Sequence, residues 1–263
     1  MTGFVDLRNV RLSYGASADA TLALDGLTMA VKKGEFAAVV GPSGCGKSTL
    51  MKLATGLMTP QQGTVEVAGK EVAGPVSIAG MAFQNPSMLP WRTTLQNVML
   101  PLEIVQPHRA RLSRERDAYV RKAEDLLAVV GLKGFGAKFP WQLSGGMQQR
   151  ANLCRALVHD PALLMLDEPF GALDAFTREE LWQVMRDLHA EKGFTTILVT
   201  HDLREAVFLA DRVFVMSARP GKVIVEREID FPRPRPIDLT YEAAFNDIVH
   251  ELRGHIAEAR AAA

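Results

Sequence analysis

Cysteine is nearly missing from this chain: Cys45 and Cys154 are the only two in 263 residues. So few thiols in so long a chain exclude a disulfide framework, and both are expected to stay reduced, as in a cytosolic protein. A surplus of either charge is missing too. Lys plus Arg and Asp plus Glu number 30 each, for a formal net charge of zero. Proteins that live on nucleic acid usually carry a basic excess, so the balance argues against that partner, although a neutral total can hide a basic patch. Long apolar runs are absent. The longest candidates, FAAVV at 36–40 and ALLML at 162–166, have the length of buried strands, well short of the roughly 18 residues of a spanning helix. The first residues, MTGFVDLRNV, show no basic stretch leading into an apolar one, so no secretory signal is expected. The chain is expected not to cross a membrane by itself, while able to sit on one through a partner. Its length and its 48% apolar residues suit one large domain or two small ones with a real core.

Residues 4–14, 22–31 and 63–69 alternate apolar and polar, as strands of an antiparallel sheet with one wet face do. By contrast, 36–40, 79–83, 162–166 and 195–200 are continuous apolar runs, the pattern of strands buried on both faces. Helical spacing sits between them. Tyr119, Ala123, Leu126, Leu127 and Val130 form one stripe; Leu181, Val184, Met185 and Leu188 form another, with Gly193 as its stop. Alternating strands and helices predict an α/β fold around a mostly parallel sheet. No buried strand is expected from about 86 to 160, which reads as a helical insert. FPRPRPIDL at 231–239 is too proline-rich for a helix or a central strand and reads as an extended connector. Its Arg233 and Arg235 read as solvated, with a contact to partner or lipid as the alternative. Phe245, Ile248, Val249, Leu252 and Ile256 then predict a final amphipathic helix, packed on its own domain or on a second copy.

GPSGCGKST at 41–49 matches G-x-x-x-x-G-K-[ST] in full, between an apolar strand and a helix-competent stretch. Gly41, Gly44 and Gly46 permit a tight turn, and the loop Gly41, Pro42, Ser43, Gly44, Cys45, Gly46 aims backbone N–H groups inward. Those donors, with the positive end of the following helix that Lys47, Ser48 and Thr49 begin, suit the phosphates of ATP. Lys47 supplies a point charge for the β- and γ-phosphates, and Ser48 a hydroxyl for Mg²⁺. The strand 162–166 runs into Asp167 and Glu168. Asp167 is placed to hold Mg²⁺ through water, and Glu168 to accept a proton from attacking water.

A phosphate loop says only that a nucleotide binds. LSGGMQQR at 143–150 says more. Ser144, Gly145 and Gly146 open a helix whose free N–H groups and hydroxyl suit an anion. In this company the segment resembles the signature of the ATP-binding-cassette family, L-S-G-G-Q/M followed by a short polar run and Arg, and the resemblance covers roughly residues 4–230. It implies a P-loop NTPase core with an antiparallel β subdomain and an inserted helical subdomain over residues 1–230, followed by a connector and helix over 231–263. It implies that Tyr14 stacks on adenine, with a core tyrosine as the alternative. It also implies that Gln84 senses Mg²⁺ and the attacking water, that Asp174 at the end of GALD 171–174 touches the opposite subunit, and that His201 contacts the γ-phosphate. In related proteins each ATP lies between one subunit's phosphate loop and the other's signature. Ser144, Gly145 and Gly146 would then complete the site of a second copy, a homodimer that hydrolyses ATP.

FQNPSMLPWRTTLQNVMLPLEI at 83–104 and VMSARPGKVIVEREIDFPRPRP at 215–236 resemble the nitrate/sulfonate/taurine importer ATPases. That branch implies transmembrane permease subunits, with Met88, Leu89, Pro90 and Trp91 lining their groove or packing in the core instead. It also implies an indirect periplasmic or lipid-anchored solute-binding protein, no nucleic acid, and a peripheral place on the cytoplasmic face of the inner membrane. Two departures stand out: Asn85, where relatives often carry an acid, and QQRANLCRAL at 148–157, where they more often show RQRVALARAL. The alternative is a cassette ATPase serving export, lipid trafficking or a non-transport assembly. Chromosome-organising relatives carry a long coiled coil between loop and carboxylates, whereas Lys47 and Asp167 are only 120 positions apart here.

Overall fold

Alternating side chains set the antiparallel sheet, and continuous apolar runs set the buried parallel strands Phe36–Val40, Leu163–Asp167 and Thr195–Val199. A computed structural model describes residues 3–15 and 20–261. They fall into two units, Met1–Val76 with Arg186–Ala263 and Ser77–Met185. The first unit opens with β1 (Val5–Tyr14) and β2 (Thr21–Val31), followed by β3 (Phe36–Val40), α1 (Lys47–Ala54), β4 (Gln62–Val67) and the short β5 (Lys70–Glu71). β2, β1, β4 and β5 lie side by side in that order as an antiparallel sheet, with Val5 opposite both Val31 and Val67. Val5, Leu7, Val10 and Leu12 of β1 are buried, while Arg8 and Arg11 face water, the one-sided pattern expected of such strands.

The second unit begins with β6 (Ala79–Ala82) and continues through α2 (Thr94–Val98), α3 (His108–Arg111), α4 (Arg116–Val129), α5 (Gly145–Leu157) and β7 (Leu163–Asp167). β6 and β7 are parallel, with Ala82 beside Leu166. Between 86 and 160 the described residues form helices and turns and no strand. α4 buries Tyr119, Ala123, Leu126 and Leu127, the predicted stripe. α6 (Ala175–Lys192) carries the chain back to the first unit. It ends at Gly193, whose φ of 64° suits a left-handed cap and whose N–H donates to His189 O at 2.9 Å.

The chain then forms β8 (Thr195–Val199), α7 (Leu203–Leu209), β9 (Arg212–Met216), β10 (Val223–Glu228) and α8 (Ala243–Ala261). β3 lies between β8 and β9, parallel to both, and β10 pairs antiparallel with β9. All residues of β3 and β8 are buried, and α7 packs on β3 while α8 packs on β9 and α7. α8 buries Phe245, Leu252 and Ala259 against its own unit.

Three expectations need correction. The run 79–83 is not buried on both faces: Ala79 and Met81 are half-exposed and Phe83 lies outside the strand. The sequence pattern gives no strand beyond 195–200, yet β9 and β10 follow it. Arg235 is not solvated; it is 1% exposed. The last turn of α7 leaves carbonyls without helical partners. Arg235 Nη1 donates to those of Val207, Phe208 and Ala210 at 2.9, 3.0 and 2.7 Å, and Nη2 to Ile229 at 2.9 Å. Its neighbour Arg233 is also held, pairing with Asp211 at 2.7 Å. The connector is a helix cap rather than a free tether.

Candidate functional site

In the first unit, the site begins where β3 ends. Six residues turn the chain from Val40 into α1, and Gly46 is the hinge, with φ 103°. A Cβ there would lie 2.6 Å from Leu24 Cδ2 and 3.1 Å from Ala23 O, so shape and backbone angle both demand glycine. Lys47 is buried and donates to the carbonyls of Gly41 at 2.8 Å and Pro42 at 2.9 Å; its Nζ is 3.7 Å from Cys45 Sγ. The loop therefore wraps its own ammonium. Ser43, Gly44 and Ser48 are exposed, whereas Thr49 is buried. Thr49 Oγ1 lies 3.0 Å from the Tyr14 hydroxyl. Tyr14 is 39% exposed, so the core alternative for this residue does not hold. A bracing segment was missed in the sequence: Arg219 Nε donates to Gly44 O at 3.2 Å, and Gly221 packs against Cys45 too closely to admit a Cβ. His201 follows β8 and is exposed; the next residue, Asp202, caps α7 by accepting from Arg204 N at 2.9 Å.

In the second unit, β7 delivers Asp167 as its last residue and Glu168 just beyond it, both half-buried. Glu168 adopts φ 47°, a left-handed conformation that costs a non-glycine residue about 1–3 kcal/mol. Gln84 Nε2 donates to Glu168 Oε2 at 3.0 Å, joining two residues singled out separately in the sequence. The segment carrying Gln84 is held from α5. Gln149 and Asn152 both donate to Phe83 O, at 3.3 and 3.0 Å, and Arg155 donates to Ser87 O at 3.3 Å. Gln149 and Asn152 are buried polar residues on the inward face of α5, and that break in the apolar stripe was the available signal. Asn152 is one of the departures in the signature helix.

Ser144 caps α5, its Oγ accepting from Met147 N at 3.3 Å. Ser144 and Gly145 are exposed and Gly146 is half-buried. Asp174 caps α6 by accepting from Thr177 N at 3.0 Å; that backbone N–H, with the Thr177 hydroxyl, holds its carboxyl below the usual range. Met88 and Leu89 are half-buried, Pro90 is exposed and Trp91 is 71% exposed. A cleft of about 440 Å³ in this unit is lined instead by Gly80, Phe83, Leu100, Pro101, Ile104 and Arg155, among others, with none of those four. Cys154 is a buried thiol whose pKa burial pushes up, so it stays protonated; Cys45 is also free and buried.

A strand, a glycine-rich loop and a helix with Lys47 at its start, set in a parallel sheet, define a P-loop NTPase. Comparison with known proteins narrows this. A family model described as ABC transporter matches residues 24–171, more than half of the chain. An aliphatic sulfonates import ATP-binding protein of Bacillus licheniformis is 42% identical over 223 residues, 85% of this chain and 84% of that relative. A taurine import ATP-binding protein of Yersinia pestis is 43% identical over 209 residues, 80% of this chain and 79% of the relative. A solved dimeric ATP-binding cassette in a post-hydrolysis state, bound to ADP and Pi, superposes with a TM-score of 0.74 at 30% identity. It covers 87% of this chain and 100% of its own. This chain belongs to the ABC transporter family.

Proposed function

We propose that this chain is the ATP-hydrolysing subunit of an importer for a small anionic or organic solute of the sulfonate or taurine type, working as a homodimer on the cytoplasmic face of a membrane. The observation that carries hydrolysis is the Glu168 carboxylate, set on a strained turn at the end of β7 and held by Gln84 at 3.0 Å. A carboxylate so oriented accepts the proton of an attacking water. Lys47 and the loop N–H groups bind the phosphates, Tyr14 stacks on the base, and His201 steadies the terminal phosphate. The donors offered to Mg²⁺ are the Ser48 hydroxyl, the Asp167 carboxylate and the Gln84 amide oxygen. All are hard oxygen ligands, and Mg²⁺ is commonly held by few protein oxygens together with substrate phosphates. When bound, the ion offsets phosphate charge.

Gly145 supports the homodimer. A Cβ on it would meet nothing within 4 Å, and its φ is not left-handed, so nothing within the described chain requires glycine there. A close approach from outside, a nucleotide held by a second copy, does. Asp174 is the other residue assigned to that contact. The apolar cleft lined by Phe83, Leu100 and Ile104 suits a short segment of the permease.

Glu168→Gln is expected to keep ATP binding and slow hydrolysis by at least ~100-fold. The check is nucleotide titration beside a phosphate-release assay, and near-normal turnover would remove Glu168 from the mechanism.

A further inference from the structure

A cleft of about 660 Å³ beside the phosphate loop has Gly41, His201 and Leu203 on one wall and Arg253, Ile256 and Arg260 of α8 on the other. The first wall belongs to the nucleotide site; α8 lies outside the residues that the family model matches. Arg253, Ile256, Ala257 and Arg260 follow the spacing of a single helix face. A different face fixes the helix. Phe245, Leu252 and Ala259 are buried, and Glu251 pairs with Arg227 at 3.1 Å. The direction in which the two arginines project is thus set by packing they do not share.

Among the described residues neither arginine has a hydrogen-bond or ion-pair partner, and none of the residues lining the cleft is acidic. Two cations about 10.5 Å apart along the helix axis repel weakly and gain from a multiply charged anion between them. Arg260, in the last turn, also suits the negative end of the helix. Arg253, two turns earlier, gains nothing from that end, so the helix dipole does not account for the pair. The opposite wall brings the His201 imidazole, a donor suited to the same kind of anion, beside Gly41, whose carbonyl accepts from Lys47 at 2.8 Å.

We propose that Arg253 and Arg260 bind the terminal phosphate of the nucleotide, so that the C-terminal helix supplies a basic wall to the phosphate site. The inference rests on the nucleotide reading above. ATP and ADP differ by that one phosphate, which gives a direct test. The full-length protein and its Arg253→Ala/Arg260→Ala variant are titrated calorimetrically with a β,γ-imido analogue of ATP and with ADP. The variant is expected to bind the analogue about tenfold more weakly, with ADP affinity unchanged. The Arg253→Lys/Arg260→Lys variant is expected to retain most of the affinity, since charge is the requirement. Equal losses for both nucleotides, or no loss for either, would overturn the proposal. A wild-type protein that binds both nucleotides while the variant behaves identically refutes only this inference. A wild-type protein that binds neither refutes the nucleotide reading as well.

Discussion

The phosphate loop and the signature segment are both glycine-containing helix starts, yet their glycines answer to different neighbours. At Gly46 the chain itself leaves no room: Leu24 and Ala23 stand where a side chain would go, and φ is 103°. At Gly145 the chain leaves open space and an ordinary helical backbone. Two glycines in the first turn of α5 also weaken that helix, each by roughly 1 kcal/mol relative to alanine. The first loop is shaped by its own fold. The second accepts a cost that its own fold does not explain, as a surface built to meet something else would.

Substitutions test that contrast. The largest effect is expected from Gly46→Ala, which combines a left-handed backbone with a clash and should cost about 2–4 kcal/mol of stability in urea unfolding. A variant as stable as the parent would mean the loop rearranges freely. Asn152→Ala comes next. It frees Phe83 O from one of its two donors and leaves Arg155 without the Asn152 oxygen that it reaches at 2.6 Å. A loss of about 1–3 kcal/mol is expected, with hydrolysis lowered because the segment carrying Gln84 loses an anchor. Unaltered turnover would show that the anchor serves folding alone. The smallest change in stability, and the sharpest contrast, is Gly145→Ala. Unfolding should become harder by up to about 1 kcal/mol, while ATP hydrolysis falls by about tenfold as the new methyl intrudes on a closed dimer. Destabilisation in this variant would place the constraint inside the chain and erase the difference between the two loops.

Much of the frame was legible before any coordinates. The run 36–40 is β3 to the residue, and 162–166 and 195–200 overlap β7 and β8 within one residue at each end. Such runs are readable because burial on both faces leaves no polar positions. The misses have a common cause. β9, with Val213, Phe214, Val215 and Met216 buried, is fixed as a strand by its pairing with the distant β3, whose Ala38 stands opposite Val213. Arg235 is buried, but an arginine among prolines carries no local sign that α7 will end beside it. Asn152 departs from the family pattern in plain view, but its partner Phe83 O lies 69 positions away.

Residue order alone determined the parts that obey short-range rules: a loop that needs glycine at particular backbone angles, a lysine and hydroxyls at the helix that follows, two acids at the end of a buried strand. Those rules act over a few neighbouring residues. Only the tertiary structure decided that Gln84 meets Glu168, that Arg235 closes α7, and that Arg253 and Arg260 face Gly41 and His201 across one cleft. Proximity between distant residues comes from how whole elements bury their apolar faces, and no local pattern of polar residues encodes it.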